Sequence, residues 1–252
     1  MNNLPFGTAE YRQFETTFLA SVIVGITYPP VQNAASRINQ WGEFSRALFS
    51  VEPLEGIFEK PIFINRNDHK LGYVFEKSRA QVHISGDGYQ NYGDSVIPHA
   101  YKLKQFVTEV AGVNSPIELG IRKIDVFQIE TDGTSIPDEQ EIRNHFFSKD
   151  YCLLKKETAD LTAEDQKIPG LKKHEWIEGA NKFTLRSAFV KVKDTSNRYR
   201  LVLDIDEQYK PEGRINLEKL DVDLKKMNTD LFNAFMWCVS ADVIKIMKNG
   251  KE

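Results

Sequence analysis

The chain has 252 residues, of which 41% are hydrophobic, 11% aromatic and 27% charged. That composition excludes a disordered chain, a collagen-like chain and a disulfide scaffold, and roughly 70% of the unfolded surface of a chain this size is buried on folding. With 33 Lys and Arg against 36 Asp and Glu the net charge is −3, so there is no gross electrostatic pull toward nucleic acid or an anionic membrane.

Residues 1–16 read as an N-terminal arm. From Thr17 to Tyr28 a β-branched run predicts a strand, stopped by Pro29-Pro30. Its apolar stretch, Phe18 to Ile26, is shorter than the ~20 residues of a membrane span and has no cationic cluster before it, so a buried strand is preferred to a signal peptide. Ala34 to Ser50 carries Ile38, Trp41, Phe44 and Leu48 at helical spacing. Strands follow at Ile57 to Asn65, Lys70 to Lys77 and Ala80 to Ser85, with a turn at Asn67-Asp68-His69. Ser95 is the expected N-cap of a helix reaching Val110, which Gly112 stops.

The second part repeats this order of elements. Ile117 to Glu130 predicts a long strand, Pro137 to Phe147 a short helix with acidic residues in its first turn, and Tyr151 to Leu154 a short strand. Residues 155–175 are polar, contain Pro169-Gly170 and read as a mobile insertion. One strand bent near Ser187 is expected from Trp176 to Lys193, another from Arg198 to Asp206, and a long helix from Leu217 to Lys248. The fold class is therefore α+β: two similar halves, 17–115 and 116–252, each strand, helix, antiparallel strands, helix. They either join their sheets into one saddle or sit as two lobes. The short Gly112 to Pro116 connection favours one joined antiparallel sheet with helices on one face.

Cys152 and Cys238 are flanked by apolar or aromatic residues, so free buried thiols in a cytoplasmic protein are expected. Asp204 and Asp206 share one face of a strand, opposite Leu201, Leu203 and Ile205. Two such carboxylates suit Mg²⁺ or Ca²⁺, with Glu207 as a third ligand only if the strand ends there. The competing reading is a polar strand face pairing Arg198 and Arg200. Gly93-Asp94-Ser95 has the look of a GDSL-hydrolase nucleophile motif, but no histidine follows an Asp by three residues. Ser85-Gly86-Asp87-Gly88 lacks phosphate-loop spacing, and the five histidines show no zinc-ligand pairing. Lys182, Arg186, Lys191, Lys193, Arg198 and Arg200 lie on two neighbouring strands with Phe189 and Tyr199, a candidate surface for nucleic-acid phosphates. Arg122, a charge in an apolar strand, calls for a carboxylate partner or a ligand. Phe232 and Trp237 stand beside the main stripe of the last helix as a candidate interface.

The strand ending in Tyr28-Pro29-Pro30, Gly72 to Tyr92, Ile117 to Asp125, Leu201 to Asp206 and Met227 to Met247 together resemble a sporadically distributed bacterial family of similar length whose members have no assigned activity. Where that family commonly shows R-x-G-L-R-Y-x-N, this chain keeps Gly120 and Arg122 but has Glu118, Lys123 and Asp125, and Asn228 stands where its last helix usually carries a histidine. Such a patchy distribution resembles that of accessory genes such as those of phage defence. The chain is thus expected to be a non-catalytic binding or regulatory protein acting as a homodimer or with a protein partner, without a cofactor. A divalent-metal enzyme using Asp204 and Asp206 and a nucleic-acid binder are the alternatives.

Overall fold

The computed structural model of the chain describes residues 4–9, 14, 17–32, 37–49, 62–65, 70–131, 136–154, 165–168, 170–193 and 197–249. Eight strands form one sheet: β1 (Leu19–Thr27), β2 (Ile62–Asn65), β3 (Leu71–Phe75), β4 (Arg79–Ser85), β5 (Glu118–Glu130), β6 (Lys172–Glu178), β7 (Asn181–Lys191) and β8 (Arg198–Tyr209). Their order is β2-β3-β4-β1-β5-β8-β7-β6, and every pairing is antiparallel. The order reads the same outward from the β1–β5 seam, so each part of the chain gives one side of a joined sheet.

The side-chain period of two decides which face is covered. In β1, Val22, Val24 and Ile26 are buried while Ser21, Ile23 and Gly25 alternate on the other face. The buried set meets α1 (Ile38–Phe49), α3 (Ile97–Gln105) and its π-turn extension Phe106–Val110 on one side of the seam. On the other side it meets α4 (Glu139–Phe146), α5 (Lys149–Cys152), α6 (Leu220–Cys238) and α7 (Ala241–Asn249). A short helix, here α2 (Tyr92–Ser95, placed before α3), links β4 to α3. Phe75 is fully buried at the centre of the first cluster, with ring centroids at 4.3 Å from Phe106, 5.6 Å from Trp41 and 5.9 Å from Phe44. No helix among the described residues is long and apolar enough to cross a membrane.

Five expectations need correction. Ser95 ends α2 instead of capping the next helix: Asn91 Oδ1 accepts from the Asp94 backbone N–H, and Ser95 Oγ accepts from Gln90 N–H at 2.8 Å. Tyr151 lies in a helical turn because Ser148 caps it, Oγ accepting from Tyr151 N–H. The single bent strand Trp176 to Lys193 is two strands, β6 and β7, folded at Gly179, whose φ of +57° suits glycine in a tight hairpin. The polar insertion therefore ends earlier, since Lys172 to His174 already belong to β6; residues 155–164 lie outside the described set, as does the turn at residues 67–69. The last helix is two helices. Val239 is extended and bridges to Phe147, the α5 loop satisfies the end of α6 through Ser148 N–H to the Cys238 carbonyl, and Ser240 Oγ caps α7.

Phe75→Ala opens a cavity that the surrounding rings cannot close, so we expect unfolding free energy to fall by about 3–5 kcal/mol, read from urea denaturation.

Candidate functional site on the uncovered sheet face

The face of the sheet opposite the helices carries Gly72, His83, Gln81, Ile23, Gly25, Gly120, Arg122, Ile124, Asp204, Asp206, Thr184 and Arg186, all at alternating positions of paired strands. Gly25 pairs with Gly120 at the seam, so neither strand places a side chain there, and the Gln81 side chain lies across Gly25 instead. One residue pair along, Ile23 faces Arg122, which faces Asp206 across β5–β8.

A chain of alternating charges runs outward from Arg122. Its Nε donates to Asp204 Oδ1 at 2.7 Å and its Nη2 to Oδ2 at 2.6 Å, a two-point fork. Arg186 Nη1 lies 3.4 Å from the same Oδ2, and its Nε is 3.7 Å from Asp165. Lys173 Nζ then reaches Asp165 at 3.1 Å and Glu175 at 3.4 Å, and Lys182 closes the row on Glu175 at 3.0 Å. Asp165 is brought there by a 3-10 turn, Asp165–Lys167, that lies over the β6–β7 edge. Asp204 is 5% exposed and Lys173 5%, whereas the Arg122 side chain keeps 41% of its surface, so the inner members are satisfied and Arg122, at the end of the row, stays open to solvent.

Two groups beside Arg122 have unusual protonation. Burial and then the Asp204 charge raise the Asp206 pKa to about 6, with Gln208 Nε2 donating to it at 3.0 Å. His83 is held neutral: burial, then Arg122 and Arg79, lower its pKa, and its Nε2 has no partner among the described residues. Neither His83 nor the Asp165, Lys173 and Glu175 part of the row was singled out from sequence. The alternation of Lys173 and Glu175 with His174 and Trp176 is the signal that was there, since it marks a strand with a charged face.

The sequence candidates fall in different places. Asp204 and Asp206 share the uncovered face, but the partners of Asp204 are Arg122 and Arg186; Arg198 pairs instead with Glu130 at 3.0 Å. Glu207 points to the opposite face because β8 continues to Tyr209, so it is no third ligand beside them. Among the described residues no group of three or more His, Cys, Asp or Glu is placed to hold a metal. Of the cationic set, Lys182, Arg186, Arg198 and Arg200 lie on the uncovered face, Lys191 takes the opposite register, and Lys193 lies beyond the end of β7. Phe232 and Trp237 are half-buried under the chain's own arm, with Phe14 at 6.4 Å and Phe6 at 6.5 Å between ring centroids. Cys152 and Cys238 are free thiols, and burial raises both pKa values. A recess of about 60 Å³ at the end of β5 and β8, lined by Gln128, Glu130, Tyr199 and Arg200 among others, is well below the roughly 300–1000 Å³ of small-molecule sites.

Asp204→Ala leaves two guanidinium groups facing each other without their shared anion, so a loss of about 2–3 kcal/mol in urea melts is expected. Asp206 works in the other direction. Its folded pKa lies above the usual value for an aspartate, so its favourable contribution is complete below about pH 4 and is lost as pH rises through about 6. Asp206→Asn is therefore expected to stabilise the fold by about 1–3 kcal/mol at pH 7.5 and to be close to neutral at pH 4, checked by melts at both values.

No family model matches the chain, and no curated protein matches it. Among solved structures it is similar to Methanococcus jannaschii TBP, with 12% identity and a TM-score of 0.25, over 84% of this chain and 95% of that chain.

Proposed function

We propose that the chain is a non-catalytic binding protein that holds a protein partner on the uncovered face of its sheet. The observation that carries this reading is the alternating row from Arg122 to Lys182, whose first arginine, Arg122, spends Nε and Nη2 on Asp204 and has no partner for Nη1 among the described residues. The Gln81 amide over Gly25, a half-exposed arginine and a half-buried carboxyl make a surface of mixed sign, suited to the paired charges and backbone groups of another protein. A polyanion fits it less well: a phosphate approaching Arg122 or Arg186 meets Asp204 and Asp206, and one approaching Arg198 meets Glu130. A divalent cation at Asp204 has to displace two guanidinium groups that already satisfy it.

The partner is either a second copy of the chain or a different protein. The resemblance to a sporadically distributed bacterial family supports an accessory setting such as phage defence for that partnership.

Native mass spectrometry of the purified chain, followed by affinity capture with wild type and Arg122→Ala, tests the reading. We expect a protein species, or an integer multiple of the chain mass, that survives nuclease and falls at least about tenfold with Arg122→Ala, a central charged contact. Added mass of a metal or an oligonucleotide, or full retention of the partner by Arg122→Ala, overturns it.

A further inference from the structure

The middle of the uncovered face is the pairing of β5 with β8, which runs over 12 opposed residues from Leu119 opposite Tyr209 to Glu130 opposite Arg198. Three of the pairs that point to this face are complementary in themselves: Arg122 with Asp206, Val126 with Val202, and Glu130 with Arg198. Between them lie Ile124 with Asp204 and Gln128 with Arg200. Ile124, Val126 and Val202 form an apolar strip, and all three keep part of their surface in solvent, on a face that no described helix covers. The strip thus has a charged pair at either end.

One symmetry operation turns this cross-strand complementarity into self-complementarity. A two-fold axis parallel to the strands and midway between β5 and β8 lays β5 of one copy over β8 of the other. Each residue then faces, in the second copy, the residue that is its own cross-strand neighbour. Arg122 meets Asp206, Val126 meets Val202, and each contact occurs twice, as in any isologous interface. Packed sheets keep their strands within about 30° of each other and lie about 10 Å apart, so the match is closest near the axis and loosens toward Glu130 and Arg198. Val126 and Val202 are near the middle of the pairing and make an apolar centre, with the charges at the rim. Asp204, which would face Ile124, is nearly buried and already held by two arginines. The 12 pairs at about 3.3 Å each are about 40 Å long, and with half of each neighbouring strand about 15 Å wide, so roughly 600 Å² per copy meet. That clears the total of about 1,000 Å² expected of a specific interface.

Arg122 and Asp206 are each left a contact short within one copy. The Arg122 fork is turned to Asp204, leaving Nη1 without a partner among the described residues, and there the Asp206 carboxylate accepts only from Gln208 Nε2. The charges that act on Asp206 are Asp204 of its own strand, Arg186 of β7 and Arg122 of β5. Glu207 adjoins it with its side chain fully buried on the other face, where neither oxygen has a hydrogen-bond partner among the described residues. We propose that the partner on the uncovered face is a second copy of this chain, packed sheet to sheet about a two-fold axis between β5 and β8, with Val126 on Val202 at the centre and Arg122 on Asp206 to either side. The proposal rests on the reading of the Arg122 face as a protein-binding surface and commits that surface to one occupant. A second arginine beside Asp206 favours its ionised form, so the dimer releases protons as it forms below about pH 6.

Sedimentation and native mass spectrometry of the full chain and of two variants, Val126→Asp and Val202→Lys, alone and mixed, test the proposal. Wild type is expected at twice the chain mass, and each variant alone is expected to dimerise at least about tenfold more weakly, because each dimer then buries two new charges against valines. Mixed in equal amounts, the variants are expected to recover a dimer of one copy each. The introduced carboxylate then meets the introduced ammonium at one contact, and the valines are intact at the other. The wild-type dimer is also expected to weaken at least about tenfold from pH 7.5 to pH 5, as Asp206 takes up its proton. A wild-type chain that stays monomeric at about 0.1 mM overturns the proposal. In that case capture of a different protein, lost with Arg122→Ala, still sustains the binding face, whereas full retention of that protein by Arg122→Ala removes both readings. A dimer that cooperatively melting variants leave unchanged, or whose variants show no preference for each other, overturns it too. Should either variant fail to melt cooperatively, the wild-type pH series decides, and equal affinity across it overturns the proposal.

Discussion

The antiparallel pairing of β1 with β5 is the constraint on which the rest of the molecule depends. It is the seam where the two parts of the chain meet, and its register, Val24 against Ile121, Gly25 against Gly120 and Ile23 against Arg122, sets what every other strand presents. Because alternate residues face opposite sides, sliding β5 by one residue would carry Arg122 under the helices and Leu119 and Ile121 into solvent. The register is instead held by burial on one face, where Val22, Val24, Ile26, Leu119 and Ile121 are all nearly inaccessible. The slip that does occur, between Leu19 and Ser21, is confined to the start of β1, beyond the part of the seam that carries this set.

Given that register, the two faces treat charge differently. On the uncovered face Asp204 is nearly buried yet keeps two arginines, and the row continues through Asp165, Lys173 and Glu175 so that each inner charge has an opposite neighbour on either side. Such a row adds little net stability, because desolvation offsets much of its attraction, but it makes one arrangement of β5, β7 and β8 much better than its alternatives. Under the helices Arg143 is held by Glu139, Ser187 and the Gly170 carbonyl, but other charges are poorly served. Burial lowers the Lys123 pKa to about 8 and raises that of Asp125 to about 7, and Lys123 Nζ lies 5.8 Å from the centroid of the Tyr89 ring. These are groups whose charge the fold tolerates without a fork or a row to hold it.

The α+β class, the joined sheet and the facing of Asp204 and Asp206 were legible in the sequence because they rest on local period: β-branched runs, alternation and the order of elements. What sequence reading missed was non-local or hidden in a single cap. Ser240 was read through as helix because its neighbours keep the apolar step of three and four, although a serine there is itself a capping signal, and Ser148 and Phe146 close the gap from far away in the chain. Gly179 was the one local mark that separated β6 from β7. The partner of Arg122 was foreseen only as some carboxylate, since choosing Asp204 requires knowing that β8 lies beside β5, a pairing of residues 82 positions apart. Glu207 gave no sign of its isolation, because strand length alone decides which face it takes.

The consequence of that strand length is that β8 carries adjacent carboxyls to opposite surfaces. Asp206 lies beside Arg122 on the uncovered face and Glu207 is buried facing α6, one peptide apart. The Asp206 charge is among the causes that raise the Glu207 pKa, after burial and Asp230. Any cation brought to Asp206 from the uncovered face offsets that charge and makes ionisation of Glu207 easier by the same interaction. The sheet is one layer thick, so no conformational change is needed for such communication; a through-strand field suffices. β8 is thus the element through which a charge on the uncovered face acts on the acid buried beneath the helices.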